Sequence, residues 1–171
     1  MCRKKESEIK KIMNKQAKIF LILSIICMSV IFFFSNQPAD TSENTSKGIV
    51  STFIDMFNLD EGKTEEEKTE LINQLNKIER KLAHYTIYLV SGVLLFPVVK
   101  GIRKKEDIKT VLISIAIGAT YAITDEIHQI FIEGRTCLPT DVLIDTLGVT
   151  TGVFIFMLIS KCINKKSLSE V

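Results

Sequence analysis

The segment FLILSIICMSVIFFF, residues 20–34, leaves a helix no polar face to turn toward water. An amphipathic surface helix carries apolar residues along one stripe only, and this run is apolar all round. Three further stretches share that character: Leu82 to Val99, Ile108 to Ile132 and Val142 to Ser160, the first being Ile19 to Phe34. A membrane-crossing helix needs about 20 such residues, within a range of about 17–25. A quarter of the 171 residues are charged, yet they lie almost entirely between these stretches. The expected fold class is therefore all-α: a polytopic membrane protein with four transmembrane helices. The first stretch has the basic start and apolar core of a signal peptide. Bulky phenylalanines stand where cleavage needs small residues, so it reads as an uncleaved anchor.

Lysine and arginine sort by loop, as the positive-inside rule requires. Seven precede the first helix, five lie in the short second loop and three follow the last helix. The third loop carries only Arg135, and the long first loop dilutes six basic residues with ten acidic ones. Both termini are thus expected in the cytoplasm, at the cell membrane, with the first and third loops outside. The net charge of +2 is spent on orientation and does not point to nucleic acid. Cys2, Cys27, Cys137 and Cys162 fall in four different compartments of this topology, so no intrachain disulfide is expected. Cys137 reads as a small loop residue rather than a nucleophile.

The chain divides into a basic segment 1–17, a membrane domain 18–162 with its outer loop at 36–81, and a tail 163–171. The basic segment is expected to be helical and to lie on the inner leaflet. SNQPADTSENTS, residues 35–46, is rich in turn formers and reads as irregular. Ile49, Phe53, Met56 and Phe57 then recur near helical spacing, predicting a short amphipathic helix on the outer surface. Thr64 with Glu67 forms a capping-box signature, and Leu71, Leu75, Ile78 and Leu82 carry a second helix into the membrane. Both outer helices read as a folded cap without chemistry of its own.

In that topology every strongly polar residue in or beside a span falls at the outer end. Ser35 and Gln37 follow helix 1, and His84 opens helix 2. DEIHQ, residues 125–129, lies in the outer part of helix 3, with Asp125 about 13 Å below a helix end at Gly134. Asp141 and Asp145 occupy the first two turns of helix 4. Tyr121, Asp125, His128, Gln129 and Ile132 lie on one arc of helix 3, with Glu126 at its edge. Asp141, Asp145, Gly148 and Gly152 share one face of helix 4, and His84, Tyr88 and Ser91 one face of helix 2. Gly148 and Gly152 give the GxxxG spacing that permits close helix approach.

Buried carboxylates in excess must pair, bind a cation or take up protons. Ionisable residues inside a membrane span mark functional sites by default, although a hydrogen-bonded network that only fixes the bundle also fits. Three chemistries are compatible with the set. Asp125 or Glu126 suits a base, with His128 and His84 as acid or ligand and Asp145 beside them. The carboxylates and two imidazoles also suit a divalent metal. Arg135 suits an anion clamp for a phosphate, with Gln129, Asp141, Ser35, Gln37 and Tyr121 as further substrate contacts. An enzyme acting on an envelope substrate, a non-catalytic binding module and a small transporter all remain open, the last disfavoured because no polar stripe reaches the inner side.

The motifs FFFSNQP (32–38), KLAHYTIYLVSGVLL (81–95) and YAITDEIHQIFIEGRTCLPTDVLIDTLGVTTG (121–152) resemble those of the VanZ-like family of small bacterial membrane proteins. The resemblance covers about residues 18 to 162, and its third segment is the most specific. It carries over to Ser35, Gln37, His84, Asp125, Glu126, His128, Gln129, Arg135, Asp141, Asp145 and Gly148. The family takes its name from a component linked to low-level teicoplanin resistance. The resemblance therefore implies a cell-envelope role, with membrane lipids and a lipid-linked or glycopeptide ligand as partners. Cys137, Leu138 and Pro139 are bulkier than the small polar residues common there.

Overall fold

A computed structural model describes the backbone of residues 2–169 and the side chains of residues 15–44 and 46–162. The chain forms five helices: α1 Cys2–Ser35, α2 Ala39–Phe57, α3 Glu65–Arg103, α4 Ile108–Gln129 and α5 Pro139–Ser169. No strand occurs among the described residues. Four helices are long and apolar enough to cross a membrane, within Lys15–Ser35, Glu65–Arg103, Ile108–Gln129 and Pro139–Cys162. The protein is a multi-pass membrane protein of the class expected, with α2 and the first turns of α3 filling the long first loop.

One local expectation fails. Residues 39–46 are helical rather than irregular, because Pro38 sets the N-cap backbone and Asp40 sits favourably in the first turn. An i,i+4 ion pair between Glu43 and Lys47, 2.7 Å apart, supports the turn that follows. Val50 and Ile54 of α2 are buried, and the expected apolar face, Ile49, Phe53, Met56 and Phe57, stays exposed. The helix packs on α3 through the first pair and leaves the second group free for lipid. The basic segment is helical as expected, but it continues unbroken into the membrane-crossing part of α1. Its arrangement on a leaflet depends on side chains 2–14, which lie outside the described residues. Breaks and caps are where the residues demand them. Asn58 and Gly62 take positive φ between α2 and α3, and Thr64 and Glu67 complete the capping box.

The bundle is organised around the α3–α5 pair. Gly92 of α3 lies against the backbone of Val149, and Gly152 of α5 lies against the carbonyl of Leu89. A Cβ at Gly148 would stand 2.5 Å from the Tyr85 carbonyl oxygen and 3.1 Å from the Leu89 nitrogen. Small residues thus let the two backbones approach closely, which is how helices associate where lipid removes the hydrophobic drive. Gly118 of α4 receives the Val149 side chain, and α1 closes the bundle against α3, with Ala17 packed on Gly101.

Three layers follow along the bundle axis. A central apolar layer holds Ile31, Tyr88, Phe96, Val111, Ala122, Val149 and Val153. At the end away from α2, Arg103 pairs with Asp107, and Asp107 caps α4 by accepting from the Thr110 amide at 2.9 Å. Lys100 there bonds Glu106 and Ser160. The Thr110 amide and hydroxyl, joined by Arg103, hold the Asp107 carboxyl below the usual carboxylate range. Ser24, Ser91 and Ser114 are buried along the spans, and the buried charged groups Asp125, Glu126, Arg135 and Asp145 gather with Ser35 and Gln129 at the α2 end.

Candidate functional site

Ten of the described residues are polar and buried; those at the α2 end, Ser35, Asp125, Glu126, Gln129, Arg135 and Asp145, come from α1, α4, α5 and the loop before α5, with half-buried His84 of α3 beside them. Asp125 is the hub of the first group. Its Oδ2 accepts from Ser35 Oγ at 2.8 Å, Tyr88 Oη at 3.2 Å and Gln129 Nε2 at 3.3 Å. Gln129 also donates to Ser35 Oγ at 3.3 Å. α1, α3 and α4 are therefore joined through one carboxylate, and its Oδ1 remains buried without a partner.

The second group lies on the α5 side. Asp145 is fully buried, and its Oδ1 stands 3.5 Å from His84 Nδ1. That separation is too long for a good N–H···O bond. Neither Asp145 oxygen, nor His84 Nδ1, has a hydrogen-bond partner. Glu126, 1 % exposed, completes the cluster: one atom each of His84, Glu126 and Asp145 lie within 4.8 Å of one another. Glu126 Oε2 also accepts from the Leu138 amide at 3.3 Å, anchoring the loop before α5.

That loop is held by its glycine and arginine. Gly134 has φ +74°, in the left-handed region, and the Ala39 side chain occupies the space a Cβ would need. The Glu133 carbonyl accepts from the Ala39 amide at 3.1 Å. Arg135 donates through Nε to the Gln37 carbonyl at 3.1 Å and through Nη2 to the Phe34 carbonyl at 3.2 Å. It thereby satisfies carbonyls left open at the end of α1. Burial and the neighbouring Arg80 charge lower its pKa, but a guanidinium stays protonated at physiological pH. Burial and the Glu126 carboxylate raise the Cys137 thiol, away from the thiolate a nucleophile needs.

The sequence-predicted residues separate into those that converge and those that do not. His84, Glu126 and Asp145 form one cluster, and Asp125, Ser35 and Gln129 form the adjoining network. Glu126 sits at the centre rather than the edge. His128 lies apart: its ring stacks on Phe32 with centroids 4.8 Å apart, and it is absent from the cluster, although its Nε2 is buried and unpartnered. Tyr121 turns toward α1 and donates to the Met28 carbonyl at 2.6 Å. Helix α4 ends at Gln129, not near Gly134, so Asp125 lies about 6 Å from the helix end. Ile132 consequently falls in a turn.

Two cavities meet at His84. One, of about 280 Å³, is walled by Ser35, Gln37, Glu79, Arg80, His84 and Arg135, among others. The second, of about 460 Å³, includes Lys77, Arg80, Lys81, His84, Asp141 and Asp145. Arg80 borders both and makes no hydrogen bond or ion pair with the described residues. Counted only as one charge of a diluted loop, it escaped the sequence reading; its i,i+4 spacing from His84 is the signal that places both on one face. A third space, an apolar groove of about 650 Å³ between α2 and α3, shares Ile49, Glu79, Ala83 and Ile87 with the first cavity. Val50, Phe53, Leu75, Leu82 and Val90 continue it. The two helices expected to be a cap without chemistry thus supply walls: Ser42, Ser46 and Ile49 of α2 border the polar cavity.

A cavity bordered by Arg80, Arg135 and His84, against the single carboxylate of Glu79, suits an anion, and carboxylates packed with an imidazole beside it suit proton transfer or a cation. The family model described as VanZ/LLP1 matches residues 20–160. No curated protein and no solved structure matches the chain.

Proposed function

The chain belongs to the VanZ/LLP1 family, and on that premise we propose that its α2 end forms an outward-facing site for a lipid-linked phosphate of the cell envelope. The carrying observation is the continuity of the cationic cavity with the apolar groove through Ile49, Glu79, Ala83 and Ile87. A headgroup would lie against Arg80, Arg135 and His84, and its hydrocarbon chain along Phe53, Leu82 and Val90. Charge-assisted hydrogen bonds from guanidinium favour phosphate, and the groove favours a substrate that remains in the leaflet. In this reading His84, in the cavity wall, and Glu126, buried behind it, would move protons at that headgroup, as an enzyme site requires. A link to glycopeptide susceptibility would follow from the handling of such an envelope lipid.

In this reading both termini are cytoplasmic and the protein resides in the cell membrane. The distribution of basic residues supports that orientation. A membrane-impermeant maleimide added to intact cells is expected to label the chain at Cys137, in the loop before α5, and Cys137→Ser should abolish the label. Labelling that survives the substitution would place the opposite end outside.

The lipid assignment is tested by binding in nanodiscs with a polyprenyl phosphate and the polyprenyl alcohol of the same chain length. The phosphate is expected to bind at least about tenfold more tightly, as one charge-assisted contact suffices for that ratio. Equal binding would remove the headgroup reading. A non-catalytic ligand holder is the second reading, favoured by Asp125, whose Oδ2 is committed to three interhelical bonds. Turnover of the phosphate lipid by wild type but not by Glu126→Gln separates the two.

A further inference from the structure

We infer that His84, Glu126 and Asp145 form a binding site for a divalent transition-metal ion of the zinc or manganese class. The first ground is the state of Asp145. Its side chain is wholly buried, and both oxygens lack a hydrogen-bond partner. A buried carboxylate in that condition is costly, and the rule for buried polar groups is satisfaction by a partner or an ion. The second ground is geometry. One atom from each of the three side chains falls within 4.8 Å of the others, and the His84–Asp145 pair is 3.5 Å apart. Ligand atoms about 2.1 Å from a shared metal stand about 3.0–4.2 Å from one another, depending on the angle. Only a small rotamer adjustment separates the observed cluster from that arrangement.

Charge supplies the third ground. Two carboxylates share the cluster with one imidazole, and no arginine or lysine forms an ion pair with either acid among the described residues, although Lys77, Arg80 and Lys81 border the same cavity. A divalent ion would neutralise both acids, and the imidazole would bind it in the neutral form. The donor set decides the class: an imidazole with two carboxylates suits zinc or manganese better than magnesium, which prefers oxygen ligands and retains its waters. Three protein ligands leave a coordination position open toward the cavities that His84 borders, as in metal sites that meet a substrate.

This inference deepens the headgroup reading and shares its site, but binding of the ion does not require the lipid. The test uses the full chain in detergent, stripped with a chelator and titrated with zinc, manganese and magnesium alone by calorimetry. Wild type is expected to take up one zinc or manganese ion per chain, at least about tenfold more tightly than magnesium. Asp145→Asn and Glu126→Gln, both near-isosteric, should weaken uptake by at least about 100-fold, as loss of a direct ligand exceeds loss of an outer partner. Thermal unfolding of the stripped variants identifies any that fail to fold; for those, His84→Gln supplies the comparison. Cys137→Ser should retain the site, which separates it from metal capture by the thiol beside Glu126. No stoichiometric uptake by wild type, magnesium bound as tightly as zinc, or uptake unchanged in Asp145→Asn would overturn the assignment. Metal uptake without phosphate-lipid preference would instead remove the headgroup reading and leave this one standing.

Discussion

Gly152→Leu is expected to yield a protein that no longer assembles its bundle. The Cβ alone would collide with the Leu89 carbonyl oxygen and stand 2.8 Å from the Val93 nitrogen. These are backbone atoms of a helix, so no side-chain rotation can relieve the contact. Overpacking commonly costs about 1–3 kcal/mol, and a rigid backbone obstacle belongs at or above the upper end. Gly148 and Gly92 occupy the same seam, so the whole α3–α5 contact would have to open. That seam positions His84 against Asp145, and the variant would lose the cluster along with stability. The measurement is monodispersity and thermal unfolding in detergent. Gly48→Ala is the matched control: nothing lies within 4 Å of its Cβ, and it sits inside α2. Replacing glycine by alanine within a helix gains about 1 kcal/mol, so this variant should match or exceed wild type. A Gly152→Leu protein as stable as wild type would refute the packing account.

Arg80→Ala should produce the largest specific loss of phosphate-lipid binding. The side chain borders both polar cavities and makes no hydrogen bond or ion pair with the described residues, so truncation leaves no internal group unpaired. A hydrogen bond to a charged group contributes about 1.5–3 kcal/mol, hence an affinity loss of about 10- to 150-fold with thermal stability little changed. Arg135→Ala should behave differently. It bonds the Phe34 and Gln37 carbonyls, so its loss should lower binding and stability together. If Arg80→Ala binds the phosphate lipid as wild type does, the headgroup lies elsewhere.

The crossing helices were legible because uniform apolarity over a membrane thickness admits few alternatives. Charge sorting and the Thr64–Glu67 box were equally local, and both could be read from residue order. The convergence of His84, Asp145 and the 125–129 segment was also accessible, since helix polarity alone brings those ends together. The errors arise where a third element decides. Glu126 looked peripheral on an isolated helical wheel, but α5 approaches from its side and makes it central. His128 shared the predicted arc, yet Phe32 of α1 covers its ring. Residues 39–46 carry turn-forming side chains, but Pro38, Asp40 and the Glu43–Lys47 pair convert them into a helix start. Arg80 was hidden by being counted with loop charges, although α3 runs unbroken from Glu65 through His84 into the bundle.

The most direct measurement is site mapping with a polyprenyl phosphate carrying a photoreactive group near its headgroup end, in nanodiscs. Mass spectrometry of the adducts is expected to place them at the junction of cavity and groove, on Ile49, Ala83 and Ile87, with excess unlabelled phosphate lipid suppressing them and the matched alcohol failing to do so. Adducts spread over the exposed face of α4, at Ile113, Ile117 and Ile123, and insensitive to competitor would contradict a lipid-phosphate site at the α2 end.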